Sequence, residues 1–382
     1  MLRKKQTPAD LPGGEEREGL PMNDRHFPKV ELHLHLDGSF LPETVWELGC
    51  AAGIAMPADS LEGYRAYLRA TQHCGSVNEY LERFDLPLRV MQDAPALTRV
   101  TRELTELLGA QGMAYAEIRF APQLHGQKGM TQRQAVEAVL EGRRQALAHC
   151  PGLEIGILLC MMCVGPETAN WEANRETVEL APEYLSRGVV GVDLAGAEGI
   201  VPLKNFAPLF RRAAELGVPF TCHAGDSQGP DTVRHAMDFG AKRIGHGHRI
   251  YEDPALCRRA AAEGVTLEIC PTSNIQCKTQ PSYAAHPAKK LLDMGIGVCI
   301  NTDNMTLAGV ELADEYRHCL SEMGFTPADL VEMDRCAIRA SFAPQEVKER
   351  ILSALDERGI EEIARNEAFP GEGKTCGKER PL

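Results

Sequence analysis

Short runs of apolar and β-branched residues recur along the chain, separated by longer stretches in which apolar residues repeat every three or four positions. The first pattern is typical of buried strands and the second of amphipathic helices. The runs predict eight strands, at 29–35, 113–122, 154–163, 189–196, 219–225, 243–247, 265–273 and 297–303. Because strand and helix alternate eight times, the pattern predicts an α/β protein of the (β/α)8 TIM-barrel class.

Three of the intervening stretches have clear helical spacing, namely 131–150, 206–217 and 253–264. The last two end in glycine, the residue that most often follows a helix. An open, doubly wound sheet is the main alternative architecture, but no G-x-G-x-x-G sequence follows the first strand. The sequence therefore favours the barrel.

The connection between the first two strands, from about residue 40 to residue 111, is too long for a simple loop. It contains several stretches with helical spacing, including "SVNEYLERFDLPLRVMQ" and "TRVTRELTELLGAQG". It predicts a helical insertion over the mouth of the barrel, where inserted segments usually shape a binding pocket. Leu81 and Phe84 are candidates for an apolar wall of that pocket or for core packing.

Both ends of the chain are polar and rich in proline and glycine. They predict a flexible segment over 1–25 and a flexible tail over 367–382. What lies between, 26–366, is expected to be a single domain, because α/β barrels often exceed 250 residues as one unit.

The composition excludes some classes of partner. A net charge of -13, from 41 basic and 54 acidic residues, provides no broad basic surface for nucleic acid. No apolar run approaches the roughly 20 residues of a membrane span. The 13 cysteines follow no apolar leader, so we expect reduced thiols and a cytoplasmic protein. The oligomeric state stays open.

Unusual polar residues collect at the carboxyl ends of the predicted strands. His33 and His35 in "VELHLHLDGS" share one face of the first strand, since side chains at i and i+2 point the same way. His223, His246 and Asp303 end later strands, and all strand ends of a barrel meet at one face. Imidazoles with a carboxylate suit a divalent cation, with zinc as the first candidate. Hydrogen-bonded core histidines and a helix N-cap at Asp303 are the alternatives.

Other polar residues leave two interpretations open. Glu117 and Arg119 alternate on the second strand and either pair inside the barrel or touch a ligand, and Glu268 is similarly ambiguous. His248 lies either on the surface or beside the site. The cysteines show no C-x-x-C pair and are expected to fill the core, which disfavours a structural zinc cage.

Six sequences at these strand ends resemble, in order, those of the adenosine deaminase family of metal-dependent hydrolases. They are "HLHLDGS", "DLAG", "HAGD", "RIGHG", "EICPTSN" and "NTDN", and the resemblance covers about residues 27–345. It implies a barrel enzyme that hydrolytically deaminates adenosine, or a related 6-aminopurine nucleoside, to inosine and ammonia. The implied partner is a small purine nucleoside.

The resemblance also implies a role for each residue that matches. One zinc ion per chain would be held by four ligands: His33, His35, His223 and Asp303. His246 would orient and deprotonate the attacking water, and Asp226 would protonate purine N1. The substrate contacts would be Asp37 with a sugar hydroxyl, the Gly196 backbone with purine N3, and Asn304 with N7.

Two positions depart from the family pattern. Asp226 stands where the family usually has glutamate and is one methylene shorter, and a misplacement of about 1 Å can lower a rate roughly a hundredfold. Asn304 stands where a second aspartate is usual, and its amide donates to N7 at any pH.

Several alternatives remain for the function. They are deamination of adenine or a modified purine, hydrolysis of an amide or phosphoester with one or two metals, and a catalytically impaired barrel that only binds a purine. The sequence does not decide between zinc and iron.

Overall fold

The computed structural model describes residues 27–69, 80, 82–165 and 169–365, with side chains up to residue 357. The segments 1–25 and 367–382, predicted to be flexible, lie outside the described residues. No helix in the described part of the chain is both long and apolar enough to cross a membrane.

Eight strands form where the apolar runs predict them, several of them shorter than predicted. They are β1 (Lys29–His35), β2 (Met113–Phe120), β3 (Glu154–Cys163), β4 (Val189–Gly196), β5 (His223–Ala224), β6 (Arg243–His246), β7 (Thr266–Ile269) and β8 (Gly297–Ile300). Two of them end early because a proline starts a helical turn, at Pro122 after β2 and at Pro271 after β7. The polar residues that follow the strands are thereby placed on loops at the rim.

The strands pair in parallel as two sheets, with the orders β1-β2-β3-β4 and β5-β6-β7-β8. A bridge between Val192 and Phe220 joins β4 to the segment before β5. A second bridge joins Leu34 of β1 to Asp303 just after β8. These two bridges close the eight strands into a barrel, which confirms the predicted fold class.

The α-helices of the described residues lie between the strands and after the last one. They are α1 (Pro42–Ala51), α2 (Leu61–Arg69), α3 (Asp85–Val90), α4 (Ala94–Ala110), α5 (Gln132–Leu147), α6 (Trp171–Leu180), α7 (Ala207–Glu215), α8 (Pro230–Asp238), α9 (Pro254–Glu263), α10 (Pro271–Gln276), α11 (Ala288–Asp293), α12 (Met305–Ala308), α13 (Leu312–Ser321), α14 (Pro327–Ala340) and α15 (Gln345–Arg365).

Local sequence signals set several helix boundaries. Helix α5 begins after Thr131, whose hydroxyl caps the Gln134 amide while the Gln134 side chain returns to the Thr131 backbone. At α9 the Asp253 carboxylate caps the first turn, and Gly264 ends the helix with a φ of 66°. Since this backbone conformation favours glycine, the predicted stop at residue 264 is confirmed.

The long connection between β1 and β2 contains helices α1 to α4, as the sequence predicts. Side chains from this insertion, among them Tyr67, Tyr80, Phe84 and Leu88, line a cavity at the barrel mouth. Phe84 therefore faces that cavity, whereas Leu81 lies outside the described residues.

Five charged side chains fill the barrel interior, where they are shielded from solvent. Arg119 donates to Asp193 at 2.8 Å and to Glu268 at 2.7 Å, and Arg243 pairs with Glu117 at 2.6 Å and with Glu268 at 2.8 Å. Glu117, Arg119 and Glu268 therefore act as paired interior ions, one of the two interpretations that the sequence left open. Each of these buried charges therefore has at least one partner of opposite sign.

Replacing Arg119 with methionine is expected to destabilise the fold by about 3–5 kcal/mol, because it leaves the Asp193 and Glu268 carboxylates undercompensated in the interior. Denaturant unfolding of the variant measures this loss. The control is Arg212→Met, which removes an exposed pair with Glu179 and is expected to change stability by about 1 kcal/mol or less. Equal effects of the two variants would contradict the importance of the interior pairs.

Candidate active site

The carboxyl ends of the strands and the helical insertion enclose a cavity of about 860 Å³. Eight of the nine site residues expected from the sequence line it: His35, Asp37, Gly196, His223, Asp226, His246, Asp303 and Asn304. The ninth, His33, is completely buried beneath the floor of the cavity. The fold thus brings all nine residues to one place.

Four donor atoms meet at the floor of the cavity. The Nε2 atoms of His35 and His223 lie 3.3 Å apart. The Nε2 atoms of His33 and His35 each lie 3.3 Å from Oδ1 of Asp303. The ligand atoms of the three histidines all fall within 4.8 Å of one another, a spacing that one metal ion can span.

Buried carboxylates hold the far nitrogens of two of these rings. Nδ1 of His33 lies 3.0 Å from Glu268, and Nδ1 of His223 lies 2.9 Å from Asp193. Such contacts orient metal-binding histidines and leave Nε2 for the metal. Nε2 of His33 is buried and has no hydrogen-bond partner among the described residues. A cation at this point would use that lone pair, so the donor set fits a metal.

The protonation states of three of the four donors suit the same purpose, whereas contact with a buried carboxylate raises the pKa of the fourth, His223. Burial, assisted by the charge of Arg119, lowers the pKa of His33 to about 4, and burial lowers the pKa of His35 well below its usual range. Burial alone raises the pKa of Asp303, but its contacts with the surrounding histidines, His33 foremost, outweigh burial and keep that pKa well below its usual range. Neutral imidazoles and an ionised carboxylate are the forms that bind a metal.

Cys270 also lies close to His33 and Asp303. Burial raises the pKa of its thiol well above the usual range, and a protonated thiol is a poor metal ligand. The cysteines near the strands are buried and free, as expected of core residues: Cys160, Cys163, Cys222, Cys270 and Cys299.

Two of the site residues have an unusual backbone conformation. His246 has a φ of 59° and Asp303 a φ of 62°, in the left-handed region that non-glycine residues seldom adopt. Strain of this kind, about 1–3 kcal/mol per residue, persists where the surroundings enforce it and is concentrated at functional sites. The sequence pattern gives no sign of it.

Asp226 is largely buried beside the cavity. Its Oδ1 accepts hydrogen bonds from Nδ2 of Asn274 at 2.8 Å and from the Thr279 hydroxyl at 2.9 Å. Burial raises its pKa. His248, left either on the surface or beside the site by the sequence, is completely buried with its Nδ1 3.8 Å from Oδ1 of Asp226. The surface placement is therefore wrong.

A chain of hydrogen bonds fixes which nitrogen of His246 carries the proton. The Ala288 amide donates to Nδ1 of His286 at 3.2 Å, so the Nε2–H of His286 donates to Oδ1 of Asn274 at 3.2 Å. The Asn274 NH2 group therefore points to Asp226 and to Nδ1 of His246, the latter at 3.2 Å. Since Nδ1 accepts, the neutral His246 ring carries its proton on Nε2.

The remaining predicted residues have features that suit a ligand. Asp37 is buried, its Oδ1 has no hydrogen-bond partner among the described residues, and burial raises its pKa to about 6. Gly196 has a φ of 104°, and a Cβ there would lie 2.6 Å from the Cys163 carbonyl oxygen, so only glycine fits. Asn304 is buried beside Tyr80.

Comparison with known proteins identifies the family. The sequence profile of the family described as "Adenosine deaminase" matches residues 28–358. The chain belongs to the adenosine deaminase family. A family member named adenosine deaminase from Haemophilus ducreyi is 39% identical over 332 residues, which cover 86% of this chain and 96% of the relative.

Two solved structures of relatives are similar over most of the chain. An adenine deaminase from Arthrobacter aurescens has a TM-score of 0.78 at 27% identity and covers 86% of this chain and 98% of its own. Arabidopsis ADAL in complex with IMP has a TM-score of 0.75 at 27% identity, with coverages of 88% and 98%.

Membership of this family confirms three predictions from the sequence, namely the resemblance, the barrel fold and hydrolytic deamination of a purine. The protein is a hydrolytic deaminase that acts on cyclic amidines. The general amidase or phosphoesterase alternative is thereby disfavoured.

The structure also shows residues that the sequence analysis did not assign. Asp193 orients His223. Asn274 bridges Asp226 and His246. Glu198 contacts the loop that carries Asp226. Asp193 carried a usable signal, as a charged residue inside the otherwise apolar strand "VVGVDLAG", and Asn274 ends the quoted sequence "EICPTSN".

Proposed function

We propose that this deaminase converts adenosine to inosine and ammonia with a single zinc ion held by His33, His35, His223 and Asp303. The observation that carries the proposal is the convergence of their donor atoms, with Nδ1 of His33 and of His223 held by buried carboxylates. Zinc, when bound, lowers the pKa of water to near 7 and so supplies hydroxide for attack at C6.

His246 is assigned to orient the attacking oxygen. Its Nδ1 faces Asn274, which leaves Nε2–H to donate a hydrogen bond toward the reacting atoms. The family resemblance implies that His246 both orients and deprotonates the attacking water. The hydrogen-bond chain favours orientation, because Nε2 of the neutral ring already carries a proton.

Asp226 is assigned as the acid. Attack at C6 moves the electron pair of the N1–C6 double bond onto N1, which then needs a proton. Burial raises the pKa of Asp226, and this favours the protonated form that can supply it. Oδ1 is occupied by Asn274 and Thr279, so Oδ2 is the oxygen assigned to N1.

Three residues are assigned to the rest of the nucleoside. The unpartnered, buried Oδ1 of Asp37 would accept a hydrogen bond from a sugar hydroxyl. The Gly196 amide would donate to N3 and the Asn304 amide to N7. The assignment of Asp37 to a sugar hydroxyl fits a nucleoside substrate. Free adenine is the second candidate, because of the similarity to an adenine deaminase.

Formation of the 6-oxopurine product from adenosine, 2′-deoxyadenosine, adenine and N6-methyladenosine separates these candidates. The first three substrates release ammonia, whereas the methylated nucleoside releases methylamine. We expect the highest kcat/KM with adenosine. A higher kcat/KM with adenine or the methylated nucleoside would reassign the substrate, and binding without turnover would point to a catalytically impaired barrel.

Replacing Asn304 with alanine is expected to lower kcat/KM for adenosine about tenfold, because one hydrogen bond to N7 is lost. 7-Deazaadenosine, which lacks that acceptor, provides the control. The variant and the parent enzyme should have equal kcat/KM values for it. Steady-state kinetics on both nucleosides measure the difference, and unchanged kinetics on adenosine would remove Asn304 from the proposed site.

A further inference from the structure

Glu198 forms hydrogen bonds with the loop that carries Asp226. Its carboxylate accepts hydrogen bonds from four consecutive backbone amides, those of residues 225–228, at 2.7, 3.1, 2.7 and 2.9 Å. The Thr232 hydroxyl donates to the same carboxylate at 2.7 Å. Hydrogen bonds to an ionised acceptor are about twice as strong as neutral ones, so this single side chain fixes the backbone of the whole loop.

Glu198 also lies in the loop that follows Gly196, the last residue of β4, two positions further along the chain. The two loops touch, because a Cβ on Gly199 would lie 2.4 Å from Nε2 of Gln228. One carboxylate therefore ties together the two loops that hold the groups assigned to purine N3 and N1. These nitrogens flank C2 of the same ring, so the two protein groups must keep a fixed separation.

We propose that Glu198 is a positioning residue that sets the separation between Gly196 and Asp226 and holds the short Asp226 side chain within reach of N1. The proposal rests on the proposed function of those two residues. An error of about 1 Å in such a placement lowers a rate roughly a hundredfold. The deamination rate of this enzyme would thus depend more strongly on the position of this loop than the rate of an enzyme with a longer acidic side chain.

Two variants and one control test the proposal. We expect Glu198→Gln to lower kcat for adenosine about tenfold and Glu198→Ala about a hundredfold, with KM and bound metal nearly unchanged. The control, Glu179→Gln, removes an exposed carboxylate paired with Arg212 and should leave kcat unchanged. If Glu198→Ala folds poorly by circular dichroism, Glu198→Gln, which preserves the side-chain volume, carries the test.

A double-mutant cycle with Asp226→Asn separates positioning from general stabilisation. If Glu198 acts through Asp226, Glu198→Ala should lower the residual rate less than about threefold once the acid is absent, since coupled residues are not additive. The same hundredfold loss in both backgrounds would overturn the proposal. The cycle is measured on whichever purine the substrate panel shows to be deaminated. A failure of the adenosine assignment can therefore be distinguished from a failure of the positioning role of Glu198.

The pH profile gives a second readout. Among the described residues, the charged and titratable groups that act on Asp226 include Glu198, His246, His248 and Asp303. The negative charge of Glu198 adds to burial in raising the pKa of Asp226. Glu198→Gln removes that charge and lowers this pKa. Because Asp226 must be protonated to act, the alkaline limb of kcat should move to lower pH. An alkaline limb of kcat that stays in place or moves to higher pH would contradict a direct effect of the Glu198 charge on Asp226.

Discussion

Replacing Asp226 with asparagine is expected to lower kcat for adenosine by about a thousandfold, within the usual range for loss of a general acid. Asparagine matches aspartate in size, and its side-chain oxygen can still accept from Asn274 and Thr279. It has no proton to transfer to N1. Steady-state kinetics measure the loss, with metal content and circular dichroism as the controls for an intact site.

The pH dependence of kcat in the parent enzyme should show the ionisation of Asp226. Burial raises the pKa of Asp226, so the protonated, active form persists above the usual range of aspartate and is lost as pH rises through the raised pKa. The variant should lack this alkaline limb. A variant that keeps more than about a tenth of the parent kcat would exclude Asp226 as the acid, given the size of general-acid effects.

Replacing His223 with alanine is expected to remove the bound metal and lower deamination at least about a thousandfold. It deletes one of four donors and leaves Asp193 without the ring that it orients. The matched control is His318→Ala, a partly exposed histidine on α13 that pairs with Glu322. The control should keep its metal and activity.

Metal analysis and ammonia release on the same samples check this prediction. A His223→Ala protein that retains one tightly bound metal ion per chain would show that His223 is not a ligand. The remaining donors would then need another partner within the cavity.

The convergence of the proposed metal ligands and of His246 was predictable because two simple rules act together. His33 and His35 lie two positions apart on a strand, which places both rings on one face. His223, His246 and Asp303 follow other strands at their carboxyl ends, and a parallel barrel collects all such ends at one rim. Neither rule requires knowledge of the loops, and the structure brings these residues together as expected.

The supporting contacts were not predictable, because they depend on how the loops approach one another. Asn274 lies at a predicted strand end and Glu198 in a loop, and only the three-dimensional structure shows that they hold Asp226. The proton position on His246 depends on a distant backbone amide, that of Ala288. Charges inside apolar strands, such as Glu268, signalled pairing but not the partner.

Removal of the metal with a chelator, followed by stepwise return of zinc with ammonia release measured at each step, tests the central claim most directly. We expect activity on adenosine to disappear with the metal and to return in proportion to zinc up to one ion per chain. Full turnover without metal, or a requirement for two ions per chain, would contradict the single four-donor site.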